Sequence, residues 1–314
     1  MEFIQLKEVC KDFGPNKVLR DVNITIEEGD IVGVIGQSGS GKTTLLNLVT
    51  GYLNPNKGNI LYYPGQTTEP INLSENLSKI KKHIGYTPQH NSFYPKLTVE
   101  ENLIHFGKMY KVSKVTLMNN IRNLLEVTKL SNHNKKMAEH LSGGMQKRLD
   151  ISCSLVHKPK LLVLDEPTAD LDLILQKEIL EFLQAINKQG VTIIIASHDL
   201  EGIEKICNKI VMIHNSKVHS YGMLEEVRRP FLKKDFTINV HNLENKEIIL
   251  SLLQKLPVDK IIDQGSTLKV YPQDAEKTIS RLIRLIKEEN LYLHDLDIRK
   301  PTLNEIFEKV STQE

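Results

Sequence analysis

The sequence is poor in features that mark secreted proteins and proteins that bind nucleic acid. It has no tryptophan, only three cysteines in 314 residues, and a formal net charge of +2. Three widely spaced cysteines make no disulfide or metal framework, so we expect reduced thiols and a cytosolic protein. The nearly balanced charge lacks the basic excess that nucleic-acid binding requires. We therefore expect a globular protein with no nucleic-acid partner.

Long apolar runs are also absent from the sequence. No window reaches the ~18 consecutive apolar residues that a membrane-spanning helix needs. Residues 1–4 lack the basic and apolar regions that open a signal peptide. If the protein works at a membrane, we expect another chain to supply the membrane-spanning part.

A glycine-rich segment lies between an apolar run at residues 31–35 and an amphipathic run at residues 45–49. It consists of Gly36, Gln37, Ser38, Gly39, Ser40, Gly41, Lys42, Thr43 and Thr44. The order strand, glycine loop, helix fits the G-x-x-x-x-G-K-[ST] pattern of a phosphate-binding loop. The glycines let backbone N–H groups turn inward around an anion, and the helix N-terminus adds partial positive charge. We predict a nucleoside triphosphate site, with Lys42 at the β- and γ-phosphates and Thr43 on Mg²⁺.

Two adjacent acids follow a second buried strand, which is predicted at residues 161–164. In a phosphate-loop enzyme the first acid, Asp165, holds Mg²⁺, and the second, Glu166, can accept a proton from an attacking water. The alternative is helix capping, because acids favour the first turn of a helix. A strand predicted at residues 191–196 leads to His198, at the sheet edge where ligands bind in open α/β folds.

Phe13 has two interpretations of equal weight. The first thirty residues are predicted to form strands at 3–9 and 18–26 around a turn, and Phe13 lies just before that turn. An aromatic ring at this position serves either as a core residue or as a platform on which a base can stack.

Residues 97–140 show helical periodicity and no strand signal, which predicts a helical subdomain inserted into an α/β core. A capping box, Thr98 to Glu101, opens this block. A further helix follows it, with Ser142 as the expected N-cap and uncovered backbone donors that suit a second anion. That helix begins with Ser142, Gly143 and Gly144.

Taken in order, these motifs resemble those of the ABC ATPases over roughly residues 1–222. Residues 36–44 correspond to the Walker A motif, Gln89 to the Q-loop and residues 141–146 to the signature. Residues 161–166 correspond to the Walker B motif, Asp170 to the D-loop and His198 to the H-loop. The resemblance implies an α/β fold with a RecA-like core, an antiparallel β-subdomain and a helical subdomain at about residues 91–155. Residues 54–82, predicted to hold one strand at 59–63, are longer than we expect for the family, which leaves the strand pairing there open.

The resemblance also implies which residues bind the nucleotide. Phe13 would stack on adenine, and Lys42 with the loop amides would hold the phosphates of ATP. Thr43 and Asp165 would bind Mg²⁺, with Gln89 beside them.

The remaining motif residues are implied in catalysis and in assembly. Glu166 would be the general base for water, and His198 would contact the γ-phosphate. Gln89 and Lys42 would also act in catalysis. Other motif residues would complete the site of a second, head-to-tail subunit, identical or not, so that ATP lies between two cassettes. They are Ser142, Gly143 and Gly144, whereas Asp170, the D-loop residue, would belong to the nucleotide-binding residues.

Beyond residue 222 the pattern changes to that of a small α+β domain at residues 223–314. Alternating Phe236, Ile238 and Val240 predict a strand, and a helix, a hairpin, a second helix and a strand at 291–298 follow. This order suggests a ferredoxin-like domain. The second helix is predicted from an apolar stripe made of Ile279, Leu282, Ile283 and Ile286.

The final helix, opened by Pro301-Thr302-Leu303-Asn304-Glu305, resembles the tail of ATPase subunits that pair with ABC-2 type permeases, as do residues 97–110. The resemblance implies a transport ATPase at the cytoplasmic face of a cell membrane, most simply an exporter. The alternatives are a soluble ABC protein acting on ribosomes or nucleic acid, and a nucleotide-binding regulator. The presence of one cassette and the absence of sustained heptads disfavour a soluble protein that acts on ribosomes or nucleic acid. The acid Glu166 disfavours a regulator that does not hydrolyse its nucleotide.

Overall fold

In a computed structural model of the protein, the structure describes residues 1–63, 69–232, 237–241, 245–291 and 295–312. The chain divides into two compact units, Met1–Leu224 and Glu225–Glu314. Among the described residues, no helix has the length and apolar character needed to cross a membrane.

The first unit combines two sheets with helices. Its strands are β1 (Glu2–Phe13), β2 (Asn16–Glu27), β3 (Ile31–Gly36), β4 (Lys57–Tyr62), β5 (Ile71–Asn72), β6 (Ile84–Thr87), β7 (Leu161–Asp165), β8 (Thr192–Ala196), β9 (Lys209–His214) and β10 (Lys217–Met223). Its helices are α1 (Lys42–Val49), α2 (Leu77–Ile80), α3 (Val99–Met109), α4 (Lys114–Val127), α5 (Gly143–Leu155), α6 (Leu173–Asn187) and α7 (Leu200–Ile206).

The central sheet has six strands in the order β10-β9-β3-β8-β7-β6. Strands β6, β7, β8, β3 and β9 pair in parallel, and β10 closes one edge as an antiparallel strand. Every residue of β3, β7 and β8 is buried, as expected for apolar strands covered on both faces. Because parallel strands end at the same edge, the loops after β3, β7 and β8 lie side by side.

The second sheet is antiparallel, in the order β2-β1-β4-β5. Its strands β1 and β2 are longer than predicted, and the strand predicted at residues 59–63 is β4. Strand β5 and helix α2 were not predicted, since elements this short are below the length at which periodicity is visible. The sequence left the strand pairing within residues 54–82 open. In the structure, β4 pairs with both β1 and β5. Residues 64–68 lie outside the described residues.

Residues 97–140, between β6 and α5, are mainly helical, as their periodicity predicted. The Thr98 hydroxyl accepts a hydrogen bond from Glu101 N at 3.2 Å, and the Glu101 carboxylate accepts one from Thr98 N at 2.8 Å. This confirms the capping box at the start of α3. Across residues 88–142, all of which the structure describes, the sole strand-like contact is a bridge between Thr98 and Met137.

Helix α8 (Leu224–Leu232) was not predicted. The helix contains Pro230 and continues for two more residues. Pro230 has no N–H to donate and its ring crowds the carbonyl of the preceding turn, so it weakens the end of this helix without stopping it.

The second unit has the order strand, helix, two strands, helix, strand, followed by a last helix. The elements are β11 (Thr237–His241), α9 (Lys246–Leu253), β12 (Val258–Asp263), β13 (Thr267–Pro272), α10 (Ala275–Glu288), β14 (Asp295–Arg299) and α11 (Leu303–Thr312). The sheet is antiparallel in the order β12-β13-β11-β14.

The core of this unit contains Ile238 and Val240 of β11 and Leu282 and Ile286 of α10, as the alternating and helical patterns indicated. The helix predicted from this stripe is confirmed as α10, although Ile283 is 40% exposed. The fully buried Thr278 lies on the inner face of α10 instead, so the buried stripe runs along a different line of the helix. Phe236 and residues 292–294 of the predicted strands lie outside the described residues.

Candidate nucleotide-binding site

A cleft of about 490 Å³ opens at the edge where β3, β7 and β8 end. It is lined by Phe13, Val18, Ser38, Gly39, Gly41, Lys42, Thr43, Thr44, Gln89, Asp165, Glu166 and His198. Residues from five separate parts of the sequence therefore meet in one concave surface. Val18 was not among the predicted site residues, because an aliphatic residue in a strand gives no sequence signal of its own.

The loop between β3 and α1 can be built only with glycine at three positions. Gly39 and Gly41 have φ values of +77° and +107°, in the left-handed region that side chains disfavour. A Cβ atom on Gly36 would lie 2.4 Å from Ser40 Oγ and 2.7 Å from the carbonyl oxygen of Ile213. The loop therefore folds tightly in front of the helix N-terminus.

The donors around this loop match the chemistry of a phosphate chain. The Lys42 ammonium donates to the carbonyl oxygens of Gly36 at 2.9 Å and Gln37 at 3.2 Å, which holds it against the loop. Within the described residues, the buried Ser40 hydroxyl has no hydrogen-bond partner. The ammonium group and the helix N-terminus together suit a polyphosphate.

Thr43 and Asp165 form the part of the cleft that suits Mg²⁺. The Thr43 hydroxyl donates to an Asp165 carboxylate oxygen at 2.8 Å, which joins α1 to the end of β7. The described residues contain no group of three or more His, Cys, Asp or Glu side chains that could hold a metal. Mg²⁺ commonly takes only one or two protein oxygens and completes its shell with phosphate and water, so these two residues fit it.

Burial raises the pKa of Asp165 above its ordinary value of 3.8, and the neighbouring charge of Glu166 raises it further. The hydrogen bond from Thr43 and the charge of Lys42 act in the opposite direction and do not cancel the effect of burial. In the absence of a cation, the folded protein therefore disfavours the ionised form of this carboxyl group.

We expect Asp165→Asn to change how stability depends on pH in metal-free buffer. Because the pKa is higher in the folded state than in the unfolded state, the folded state holds more protons and stability falls as pH rises. The free energy of unfolding of the wild-type protein should therefore fall relative to that of the variant as the pH rises above the ordinary pKa of 3.8. Urea denaturation at a series of pH values measures the difference, and a difference that stays constant or moves the other way would contradict the prediction.

Glu166 is held at the cleft by the residues that follow β8. Its backbone N–H donates to the carbonyl oxygen of Ala196 at 2.8 Å, and its φ of +50° is unusual for a residue other than glycine. One carboxylate oxygen lies 2.8 Å from His198 Nδ1, 3.2 Å from His198 N and 3.3 Å from Ser197 Oγ. Glu166 is buried, whereas the His198 side chain is 71% exposed and faces solvent. Backbone strain of this kind is a recognised feature of functional sites.

Ser197 was missed as a partner of Glu166. Its position directly before His198, at the end of a buried strand, was the signal that could have identified it. The contact fixes one carboxylate oxygen and leaves the carboxylate with further acceptor capacity.

Phe13 lies at the cleft and is 47% exposed, so it is not a core residue. The Lys11 ammonium lies 5.2 Å from the centre of its ring. Stacking on a base stays a prediction. The exposed Gln89 side chain lines the same cleft, immediately after β6.

The residues expected to serve a second subunit do not line this cleft among the described residues. Ser142 occupies the N-cap position of α5, as predicted, although its hydroxyl accepts no capping hydrogen bond. Gly143 is exposed, and a Cβ atom added there would lie 4.0 Å from its nearest neighbour, the Leu171 side chain. A Cβ on Gly144 would instead lie 2.7 Å from Leu175 of α6. Asp170 is exposed, with a φ of +62°.

Comparison with known protein families gives two matches. Residues 19–169 match the family described as ABC transporter, and residues 222–311 match the family described as ATP-binding protein DrrA1-3-like, C-terminal domain. The two matches together account for the Walker A loop, the signature, the Walker B acids and the second unit.

Relatives and solved structures agree with these matches. The linearmycin resistance ATP-binding protein LnrL of Bacillus subtilis is 28% identical over 307 residues, covering 97% of this chain and 96% of its own. The bacitracin transport ATP-binding protein BcrA of Bacillus licheniformis is 30% identical over 315 residues, covering 98% and 96%. A dimeric ATP-binding cassette solved in a post-hydrolysis state with ADP and Pi superposes with a TM-score of 0.61 at 27% identity, covering 70% and 98%. The chain therefore belongs to the ABC transporter family of ATP-binding proteins, the ATPases whose hydrolysis of ATP is coupled to transport.

Proposed function

We propose that this protein is the ATP-binding and hydrolysing subunit of an exporter, and that it works as a head-to-tail pair of cassettes beneath a separate ABC-2 type permease. One observation carries the proposal. The phosphate loop, the acids and His198 line one cleft, whereas Ser142, Gly143 and Gly144 present an uncapped helix end outside it. Each chain therefore carries the larger part of one nucleotide site and a smaller part that suits a second one.

Each residue of the cleft then has a defined task. Lys42 and the loop amides bind the phosphates, Phe13 stacks on the base, and Thr43 and Asp165 bind Mg²⁺. Thr43 and Asp165 would hold the metal, which would supply positive charge to offset the negative charge of the phosphates.

The catalytic residues act on the water molecule and on the γ-phosphate. Glu166 accepts the proton of the attacking water, since the contacts with Ser197 and His198 orient one of its oxygens and leave the other able to act as a base. The exposed ring of His198 is placed to contact the γ-phosphate, and Gln89 approaches the site from the side of β6.

The proposal of a membrane partner rests on the two relatives that match almost the whole chain, including the second unit. One is named for linearmycin resistance and the other for bacitracin transport. Removal of a toxic compound from the cell is a direct route to resistance, which favours export. We propose that residues 1–222 form the cassette, that residues 223–314 form a ferredoxin-like accessory domain, and that the protein lies at the cytoplasmic face of the cell membrane.

The paired arrangement predicts that the specific ATPase activity rises with protein concentration. A site assembled from two chains turns over only in the dimer, so activity per molecule should increase steeply at low concentration and then reach a plateau. Phosphate release measured over a hundredfold range of concentration tests this. Specific activity that is constant over the whole range, in a protein that sedimentation shows to be monomeric throughout, would contradict the paired site.

The membrane partner is tested separately, by purifying the tagged protein from detergent-solubilised membranes after nuclease treatment. We expect a polytopic membrane protein to co-purify. Recovery of ribosomal components instead would favour a soluble ABC protein.

A further inference from the structure

Helix α5 carries two buried charged residues that the site described above does not use. Lys147 and Asp150 are both buried, and Asp150 is completely so. They are three residues apart, so they lie on the same face of the helix. The same helix begins with Ser142, Gly143 and Gly144.

Both side chains contact the segment that begins with Gln89. The Lys147 ammonium donates to the carbonyl oxygen of Gln89 at 3.4 Å. One carboxylate oxygen of Asp150 accepts a hydrogen bond from Ser92 N at 2.8 Å and another from Ser92 Oγ at 2.6 Å. Residues 89–92 are thus attached at both ends to one face of α5.

The later part of this segment is attached to α3 by Asn102, which is fully buried. The Asn102 side chain accepts from Tyr94 N at 2.7 Å and donates to the carbonyl oxygens of Leu97 at 3.3 Å and Thr98 at 3.0 Å. Residues 89–98 are therefore attached to the helices of the helical subdomain, even though the Gln89 side chain lines the nucleotide cleft.

Packing alone does not explain a buried acid at position 150. Burial raises the pKa of Asp150, while the hydrogen bonds from Ser92 and the charge of Lys147 lower it without cancelling the effect of burial. The second carboxylate oxygen has no hydrogen-bond partner within the described residues. Well-packed apolar residues often replace buried charges without loss of stability, so the acid is better explained by what it holds than by stability.

We propose that Asp150 is a positioning residue for Gln89. Through Ser92, and together with the contact from Lys147, it fixes the Gln89 segment to the helix that carries the signature residues. Gln89 and the start of α5 consequently move as one body, which sets the distance of Gln89 from the reacting groups. The inference rests on the catalytic role proposed for Gln89.

The experiment compares steady-state ATP hydrolysis by the full-length wild-type, Asp150→Ala, Gln89→Ala and double-variant proteins. We expect Asp150→Ala to lower kcat about tenfold while the KM for ATP stays within about twofold, because the groups that bind the nucleotide are unchanged. Asp150→Asn keeps an acceptor for Ser92 and should recover most of the rate. The double variant should be no slower than Gln89→Ala alone, since Asp150 acts through Gln89.

Ser152→Ala is the matched control. In the part of the chain that the structure describes, the Ser152 hydroxyl makes one hydrogen bond, to the carbonyl oxygen of Arg148 within α5 at 2.6 Å. The variant should leave kcat unchanged. An Asp150→Ala protein with normal kcat, or losses that multiply in the double variant, would overturn the proposal.

A second variant tests the proposal even if Asp150→Ala fails to fold. Ser92 is half-buried in a loop, and Ser92→Ala removes one of the two hydrogen bonds to Asp150. We expect a two- to threefold loss of kcat that disappears in a Gln89→Ala background. A loss that persists in that background overturns the proposal. If turnover requires Glu166 but the losses of Asp150→Ala and Gln89→Ala multiply in the double variant, only the role of Asp150 is rejected. If turnover does not require Glu166, the proposed function and this inference are rejected together.

Discussion

Glu166→Gln should lower the turnover of ATP by about 10²- to 10⁴-fold while leaving the binding of ATP intact. The amide of glutamine has nearly the shape of the carboxylate, and its oxygen can still accept hydrogen bonds from Ser197 and His198. It cannot take a proton from water. Since Lys42, Thr43 and the loop are unchanged, the nucleotide should still bind. In the proposed pair of cassettes, hydrolysis should then no longer separate the two chains.

Three measurements follow the consequences of this change: phosphate release, binding of a fluorescent ATP analogue, and size-exclusion chromatography with ATP. The variant should accumulate an ATP-dependent dimer that the wild-type protein shows only transiently. Glu181→Gln on the exposed face of α6 is the matched control, because the carboxylate that it removes forms, among the described residues, a single ion pair, with Lys177 at 3.9 Å. Normal turnover in Glu166→Gln would remove Glu166 from the mechanism, and loss of ATP binding would assign it a binding role instead.

Two variants that are inactive separately should regain activity when mixed. Lys42→Ala removes the ammonium that faces the phosphates, and Gly143→Asp places a negative charge at the exposed start of α5. Each homodimer then has two defective sites. A mixed head-to-tail dimer has both defects in one site and none in the other, so random pairing at equal concentrations should restore about one quarter of wild-type activity.

A side chain has room at position 143, because a Cβ atom there would lie 4.0 Å from the closest atom of Leu171. Gly143→Asp should consequently unfold at nearly the wild-type temperature, and circular dichroism checks this. Gly143→Ala, which adds a methyl group without charge, is the matched control and should retain most activity. If the mixture stays as inactive as its components while both variants are folded and dimeric, the signature residues do not complete a site across two chains.

The sequence predicted the elements of the central sheet well, because its strands are apolar and end at residues with recognisable chemistry. The strand before Gly36 and the strand that ends at Asp165 are examples, since burial on both faces demands apolar runs that periodicity detects. The meeting of Lys42, Thr43, Asp165, Glu166 and His198 in one cleft follows from the parallel strands, whose ends share an edge.

The features that the sequence did not predict depend on tertiary contacts. Asp150 and Lys147 look like ordinary polar positions of a helix, and nothing in their spacing shows that a loop from elsewhere in the chain covers them. The two-residue strand β5 exists only because β4 offers an edge to pair with. Ile283 fits an apolar stripe in sequence, yet the orientation of α10 on its sheet exposes it.

The contact between the start of α5 and α6 has an evolutionary consequence. Any side chain at position 144 must occupy the space that Leu175 fills, at 2.7 Å from the nearest leucine carbon. The two positions are therefore expected to covary across homologous sequences: residues larger than glycine at 144 should occur together with small residues at 175. Substitution at 143 carries no such steric constraint, so variation there should be independent of position 175.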